Sequence, residues 1–305
     1  MRNIFYIDRT SKKEEKEAVY GQFFLKILYG NHWYERLISF FVLPFYSRCS
    51  LISKLYGYIQ KTSLSKKKII PFIRKFGMDT SEFLESPLSF ASFNDFFTRR
   101  LKPGVRPLAN GNDVAVLPAD ARYLVYPNIA ASEGFLVKGK KFSLEKLLED
   151  YSLAKKYREG SMVLARLCPT DYHRFHFICN CVPGVPKLIN GPLYSVNPMA
   201  LIRNIEIFSE NKRVITELRT KNFGDVLYID VGATHVGSIH QTFIPEEHYA
   251  KGDEKGYFSF GGSSLILLFE PGKIEFDQDL LDASNRRLEM RALMGQSLGR
   301  SLLPF

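Results

Sequence analysis

The chain has 305 residues, is 45% apolar, carries a formal net charge of +10 at neutral pH and contains only four cysteines. That length and apolar content can bury a sizeable core in one large domain or two smaller ones, and so few cysteines exclude a disulfide scaffold, so a reducing compartment is expected. The positive charge attracts anionic surfaces. With no basic DNA-reading helix, no zinc-finger spacing and no RNA-binding aromatic signature, lipid headgroups fit better than nucleic acid.

Residues 9–17 (RTSKKEEKE) are highly charged where a secretory signal would need an apolar run, so export by that route is not expected. Aromatic and aliphatic residues follow, Phe23 to Tyr29, then Trp33 and Tyr34, then Leu37 to Phe45. That apolar run is about half the ~20 residues that span a bilayer. A buried core helix has the same length. The aromatics interleave with Arg36, Arg48 and Lys54 and lead into Lys61, Lys66, Lys67, Lys68, Arg74 and Lys75. This mixture predicts a helical, lipid-facing region over residues 1–110, with each cation near an anionic surface worth roughly 1 kcal/mol. A peripheral protein on the cytoplasmic face of the cell membrane fits both the charge and the missing signal. Phe93, Phe96 and Phe97 with Arg99 and Arg100 can form a lipid-binding mouth with Arg100 on a phosphate, but aromatics at this spacing more often pack a helix onto the core.

Beyond residue 110 the texture changes to short apolar runs broken by Gly, Pro and Asn: 135–139, 162–165, 226–229 and 265–269. These read as strands and turns of a β-rich core over 111–305, and 293–299 as a closing strand turn of it. Helix is favoured at 144–156, capped by Ser143 with Lys146 in place of the glutamate of a capping box. The fold class is α+β.

Three segments carry chemistry. Residues 251–264 (KGDEKGYFSFGGSS) place Ser263 behind Gly261 and Gly262, and glycines can present a strained, accessible carbonyl to the hydroxyl that follows. Taken alone, the same residues describe a turn feeding a buried strand. Residues 166–177 (RLCPTDYHRFHF) hold His173 and His176, the residue type whose proton moves near neutral pH. In an extended segment the two point to opposite faces; in a helical one they share a face. Asp120 lies between a proline turn and small residues, and Asp, His and Ser together make a proton-relay set. Cys168, Cys179 and Cys181 lack a second pair at ligand spacing and read as buried thiols, so no metal is expected.

Six ordered blocks resemble those of the phosphatidylserine decarboxylases: FNDFFTRRLKPG at 93–104, PAD at 118–120, PTDYHRFH at 169–176, LYSVNP at 193–198, VGATHVGSI at 231–239, and KGDEKGYFSFGGSS at 251–264. The resemblance spans about residues 90–300. It implies packed antiparallel sheets of barrel-sandwich type and a self-processing enzyme. Ser263 would attack the preceding carbonyl, an N-to-O acyl shift would give an ester, and elimination would leave a pyruvoyl group capping the new chain. The cut would fall between Gly262 and Ser263, giving a β chain of 1–262 and an α chain of 263–305. An extra glycine before the motif leaves Ser264 as the alternative, though the spacing to Pro271-Gly272 favours Ser263.

Serine is a weak nucleophile at its free pKa and needs a base, here His176, with Asp120 orienting the imidazole. The resemblance gives His173 to the later decarboxylation of phosphatidylserine to phosphatidylethanolamine. The pyruvoyl carbonyl would act there as the electron sink that pyridoxal phosphate supplies elsewhere. No exogenous cofactor is implied, and a homo-oligomer is left open. His235 is read as structural. A serine hydrolase using the same three residues lacks the usual Gly-x-Ser-x-Gly elbow, and a membrane-binding module would leave the chain whole.

Overall fold

A computed structural model describes residues 4–17, 32–33, 57–131, 143–233, 239–260 and 263–303. Its frame is a ten-stranded sheet in the order β2 (Glu14–Lys16), β1 (Phe5–Asp8), β15 (Glu289–Ala292), β4 (Ala121–Tyr126), β5 (Ser161–Leu167), β13 (Ser263–Phe269), β10 (Gly224–Gly232), β9 (Arg213–Thr220) and β7 (Cys181–Pro183), with β8 (Lys187–Ile189) also pairing β9. Neighbours run antiparallel except β1 and β15, which are parallel.

One face of this sheet is covered by short helices: α3 (Leu144–Leu148), α4 (Tyr151–Tyr157), α5 (Pro198–Arg203) and α6 (Ile207–Glu210). They bury Leu147, Leu148, Tyr157, Ala200 and Phe208 against Met162, Leu227, Ile229, Ile266 and Leu268. The other face packs on two three-stranded sheets and one helix. The first small sheet runs β11 (Ile239–Gln241), β12 (Glu254–Phe258), β6 (Arg174–His176), and the second β14 (Ile274–Phe276), β16 (Ser297–Ser301), β3 (Val114–Val116). With α7 (Gln278–Asn285) they enclose Tyr123, Val163, Leu167, Tyr228, Leu265, Leu267 and Phe269. β13 is therefore buried on both sides, which is why its sequence is a continuous apolar run rather than an alternating one.

A third cluster joins α1 (Ile69–Phe76) and α2 (Phe93–Phe97) through Phe72, Phe83, Phe90, Phe93, Phe96 and Phe97 to Phe260. The three phenylalanines of α2 are fully buried, so this helix packs onto the core instead of opening a lipid mouth. Arg100 points outward to Glu85 at 3.3 Å.

The strands expected around 162–165, 226–229 and 265–269 are β5, β10 and β13, and 293–296 turns between β15 and β16. Ser143 caps α3 as expected, its hydroxyl accepting from the Lys146 N–H at 3.2 Å. The single helix expected over 144–156 is two, because Glu149 adopts φ 47° and Asp150 opens α4 by capping Leu153 at 3.0 Å. Apart from the parallel β1–β15 pair the sheets are antiparallel as expected, but the large one is open among the described residues, ending at β2 and β7, with no closed barrel. Nor is the N-terminal region helical throughout: residues 5–16 form a hairpin on the edge of the large sheet. The lipid-facing helix expected over 23–45, apart from residues 32–33, the strand expected at 135–139 and His235 lie outside the described residues, as do Gly261 and Gly262. No helix among the described residues is long and apolar enough to cross a membrane.

Candidate active site

Ser263 is the first residue of β13, at the centre of the large sheet, with Gly232 of β10 on one side and Leu167 of β5 on the other. Its side chain is fully buried and its Oγ has no hydrogen-bond partner among the described residues; the same holds for Ser264. A buried hydroxyl without a partner costs stability, so Ser263 contributes nothing to the fold that alanine would not. Alternation along the strand sends the two serines to opposite faces, Ser263 toward Leu265 and the small sheets, Ser264 toward Ile266 and the helices.

The segment that leads into Ser263 is held by α2. The Phe260 N–H donates to Asn94 Oδ1 at 3.0 Å, and the Phe260 ring packs edge-on against Phe93 and Phe97, at 5.1 and 5.0 Å. Phe97 also lies against the His173 ring, centroids 3.8 Å apart. The FNDFF block therefore touches both a candidate histidine and the chain just before the candidate nucleophile.

His173 and His176 flank and end β6, whose ladder with β12 places them beside the strand that runs toward Ser263; the Phe258 N–H donates to the His173 carbonyl at 3.0 Å. His173 Nδ1 donates to the Asp171 carbonyl at 2.9 Å, leaving Nε2 bare and buried. Burial pushes its pKa down to about 3, so the ring is a neutral acceptor at Nε2. The same Asp171 carbonyl receives Nη2 of Arg99 at 3.1 Å. That guanidinium is buried over the Phe83 and Phe96 rings, and burial pushes it down to about 10.

His176 Nδ1 donates to the Gly252 carbonyl at 2.9 Å, and its Nε2 is likewise bare and buried. Burial lowers its pKa, against the pull of Glu254 and Asp120. Gly252 presents that carbonyl from φ 88°, a conformation that favours glycine, which gives the first glycine of the 251–264 block its reason.

Asp120 is close enough to act on His176 through its field, but its carboxylate is engaged elsewhere. It accepts Nε and Nη2 of Arg106 at 3.0 and 2.7 Å and the Met294 N–H at 2.9 Å, and Arg106 is shared with Glu82 at 2.8 Å. Among the described residues no hydrogen bond joins Asp120, His176 and Ser263. The structure brings Asp120 and His176 together through Pro118, whose carbonyl accepts the His176 N–H at 2.9 Å. Arg106, Asn94 and Phe260 escape a reading of the sequence. Arg106 lies just past the FNDFFTRRLKPG block, and Asn94 and Phe260 lie inside matched blocks, but no local pattern marks their partners.

Cys168, Cys179 and Cys181 are buried thiols, and no cluster of three or more metal-ligating side chains occurs among the described residues.

Ser263 thus starts its strand with a buried, unbonded hydroxyl, and His173 and His176 are each held through Nδ1 with a bare, buried Nε2. The chain belongs to the phosphatidylserine decarboxylase family, whose model matches residues 93–300. Proteins named phosphatidylserine decarboxylase proenzyme are similar over nearly the whole chain. The one from Chlamydia caviae is 52% identical over 302 residues, 99% of each chain. That from Chlamydia pneumoniae is 49% identical over 296 residues, 97% of each, and that from Chlamydia trachomatis serovar D 45% over 303 residues, 98% of each. The similarity thus extends through the N-terminal region that the family model leaves out.

Proposed function

We propose that this protein cleaves itself between Gly262 and Ser263 and, through the pyruvoyl group so formed, decarboxylates phosphatidylserine to phosphatidylethanolamine and CO2. The observation that carries the proposal is the Ser263 side chain, fully buried with its hydroxyl unbonded, at the serine to which the resemblance assigns the attack. A residue kept there at a cost to stability is one kept for chemistry.

In the cleavage Ser263 Oγ attacks the Gly262 carbonyl, the C–O bond forms as the C–N bond breaks, and an ester with a free amine results. Elimination of the Gly262 carboxylate leaves a dehydroalanine, and addition of water with loss of ammonia gives the keto group. Both histidines are held neutral by burial with Nε2 as a free lone pair, the form that accepts a proton from a hydroxyl. His176, on the Asp120 side, is assigned to cleavage and His173, against Phe97, to proton handling during turnover. The pyruvoyl group supplies an electrophilic carbonyl for the substrate amine and a sink for the electron pair freed as CO2 leaves. Asp171 and Gly252 hold the two imidazoles in one tautomer, and the aromatic packing of Phe97, Phe260 and Tyr172 excludes water.

The lipid is met at a membrane surface. Exposed Tyr58, Ile59 and Leu64 stand among exposed Lys61, Lys66, Lys67, Arg74 and Lys75, the mixture that docks on anionic headgroups from the cytoplasmic side.

Intact mass under denaturing conditions tests the reading. Wild type is expected to yield a 43-residue fragment, 263–305, that reacts with hydrazine, and Ser263→Ala a single full-length inactive chain. A Ser263→Ala protein that still splits at the same bond would remove Ser263 from its role.

A further inference from the structure

Lys255, within the 251–264 block, is completely buried, and no step above uses it. Its ammonium donates to Asp230 Oδ2 at 2.8 Å and to Gln241 Oε1 at 2.9 Å, and Gln241 Nε2 donates to the same Asp230 oxygen at 2.6 Å. The rings of Tyr228, Phe175 and Phe243 surround the ammonium at 4.5, 5.3 and 5.4 Å from their centroids. Asp230 is completely buried as well, and its second oxygen, Oδ1, has no partner among the described residues. A buried ion pair is seldom more stabilising than apolar residues of the same volume, so stability does not account for this one.

Its place in the sheet does. On β10, Asp230 is paired with Leu265 and Gly232 with Ser263. Directly opposed residues share a face and side chains alternate along each strand, so Asp230, Leu265 and Ser263 project to the same side. Asp230 is the diagonal neighbour of Ser263, with about 7–8 Å between their backbones. Asp230 Oδ1 and Ser263 Oγ, both buried and without a hydrogen-bond partner among the described residues, thus lie on the same side of the sheet. One water can bridge such a gap.

We propose that the Lys255–Asp230 pair, locked by Gln241, is a positioning device for the chemistry at Ser263, with Asp230 Oδ1 orienting the serine hydroxyl and Lys255 holding Asp230 in its charged form. The inference rests on the cleavage reading above. Burial raises the Asp230 pKa and lowers that of Lys255, and the ion pair between them opposes both shifts. The other titratable groups facing the pair, Tyr228 and Cys181, are pushed up by burial, Cys181 to about 12, and stay neutral near pH 7.

The test follows cleavage of newly made chains by intact mass, from pH 6 to 9, in wild type, Lys255→Met, and the Asp230→Asn/Lys255→Met double variant, with folding checked by circular dichroism. Lys255→Met is expected to cleave at least tenfold more slowly at pH 7. Its rate relative to wild type is expected to change with pH as the unpartnered Asp230 titrates. The double variant, with nothing left to titrate, is expected to be equally slow with a flat ratio. Folded Lys255→Met that cleaves within threefold of wild type at every pH overturns the proposal. So does failure of both variants to fold, because the pair is then a folding requirement alone. A wild-type chain that never splits is a distinct result, since it removes the cleavage reading itself.

Discussion

Glu17 is the group whose ionisation contributes most plainly to stability, and its replacement by glutamine gives a quantitative check on the buried charges beneath the N-terminal hairpin. Its carboxylate receives Nη1 and Nη2 of Arg166 at 3.1 and 2.6 Å and lies 3.3 Å from Nε of Arg122. Burial alone would raise its pKa, but Arg166 and then Arg122 overcome burial and bring it from the usual 4.5 to about 2. A carboxylate whose folded pKa is depressed adds stability that is complete above the unfolded value and is lost as pH falls through the folded one. The difference corresponds to about 3 kcal/mol at neutral pH, lost between about pH 5 and pH 2. In Glu17→Gln, Arg166 keeps Glu289 and Arg122 keeps Asp171, so neither guanidinium is left alone. In a Ser263→Ala background, which on the proposed mechanism keeps one continuous chain, Glu17→Gln should lower the thermal midpoint at pH 7 by about 5 °C, from the unfolding entropy of a chain this long. The gap should close as the pH approaches 2.5. A gap under about 1 °C at pH 7, or one that is the same at pH 7 and pH 3, would refute the reasoning.

Three further outcomes are expected. Asn94→Ala removes the acceptor for the Phe260 N–H, and a lost hydrogen bond of about 1–2 kcal/mol at the segment before Ser263 should slow cleavage several-fold on a denaturing gel time course while lowering the melting temperature by about 2–3 °C. With its pKa near 3, His173 should show no titration of its ring signals by NMR between pH 5 and 8; a midpoint near 6.5 would mean the ring is solvated rather than held against Phe97. Cys168, Cys179 and Cys181 should resist a thiol reagent in the folded protein and react once it is unfolded in urea, because burial raises all three thiols.

The sequence by itself determined the pieces whose signals are local. The apolar run of β13, the strands β5 and β10 and the Ser143 cap each depend on neighbours within a few residues, and they stand where pattern and capping chemistry put them. The two histidines and the glycine-rich approach to Ser263 were legible for the same reason, as contiguous blocks of unusual composition. The N-terminal hairpin was not, because residues 5–8 become a strand by pairing in parallel with residues 289–291, nearly the whole chain away.

Only the tertiary structure decided which groups those residues meet. Asp120 reads as the orienter of His176, yet its carboxylate lies against Arg106 while the Gly252 carbonyl holds the imidazole. Lys255 carries no local signal of burial; β10 supplies Asp230, and the rings of Tyr228, Phe175 and Phe243 close around its ammonium. Charge and hydrogen-bonding capacity belong to a residue type and can be read from the sequence. The partner that fixes a pKa or aims a lone pair comes from a strand register or a helix docking between distant segments, and no spacing along the chain encodes it.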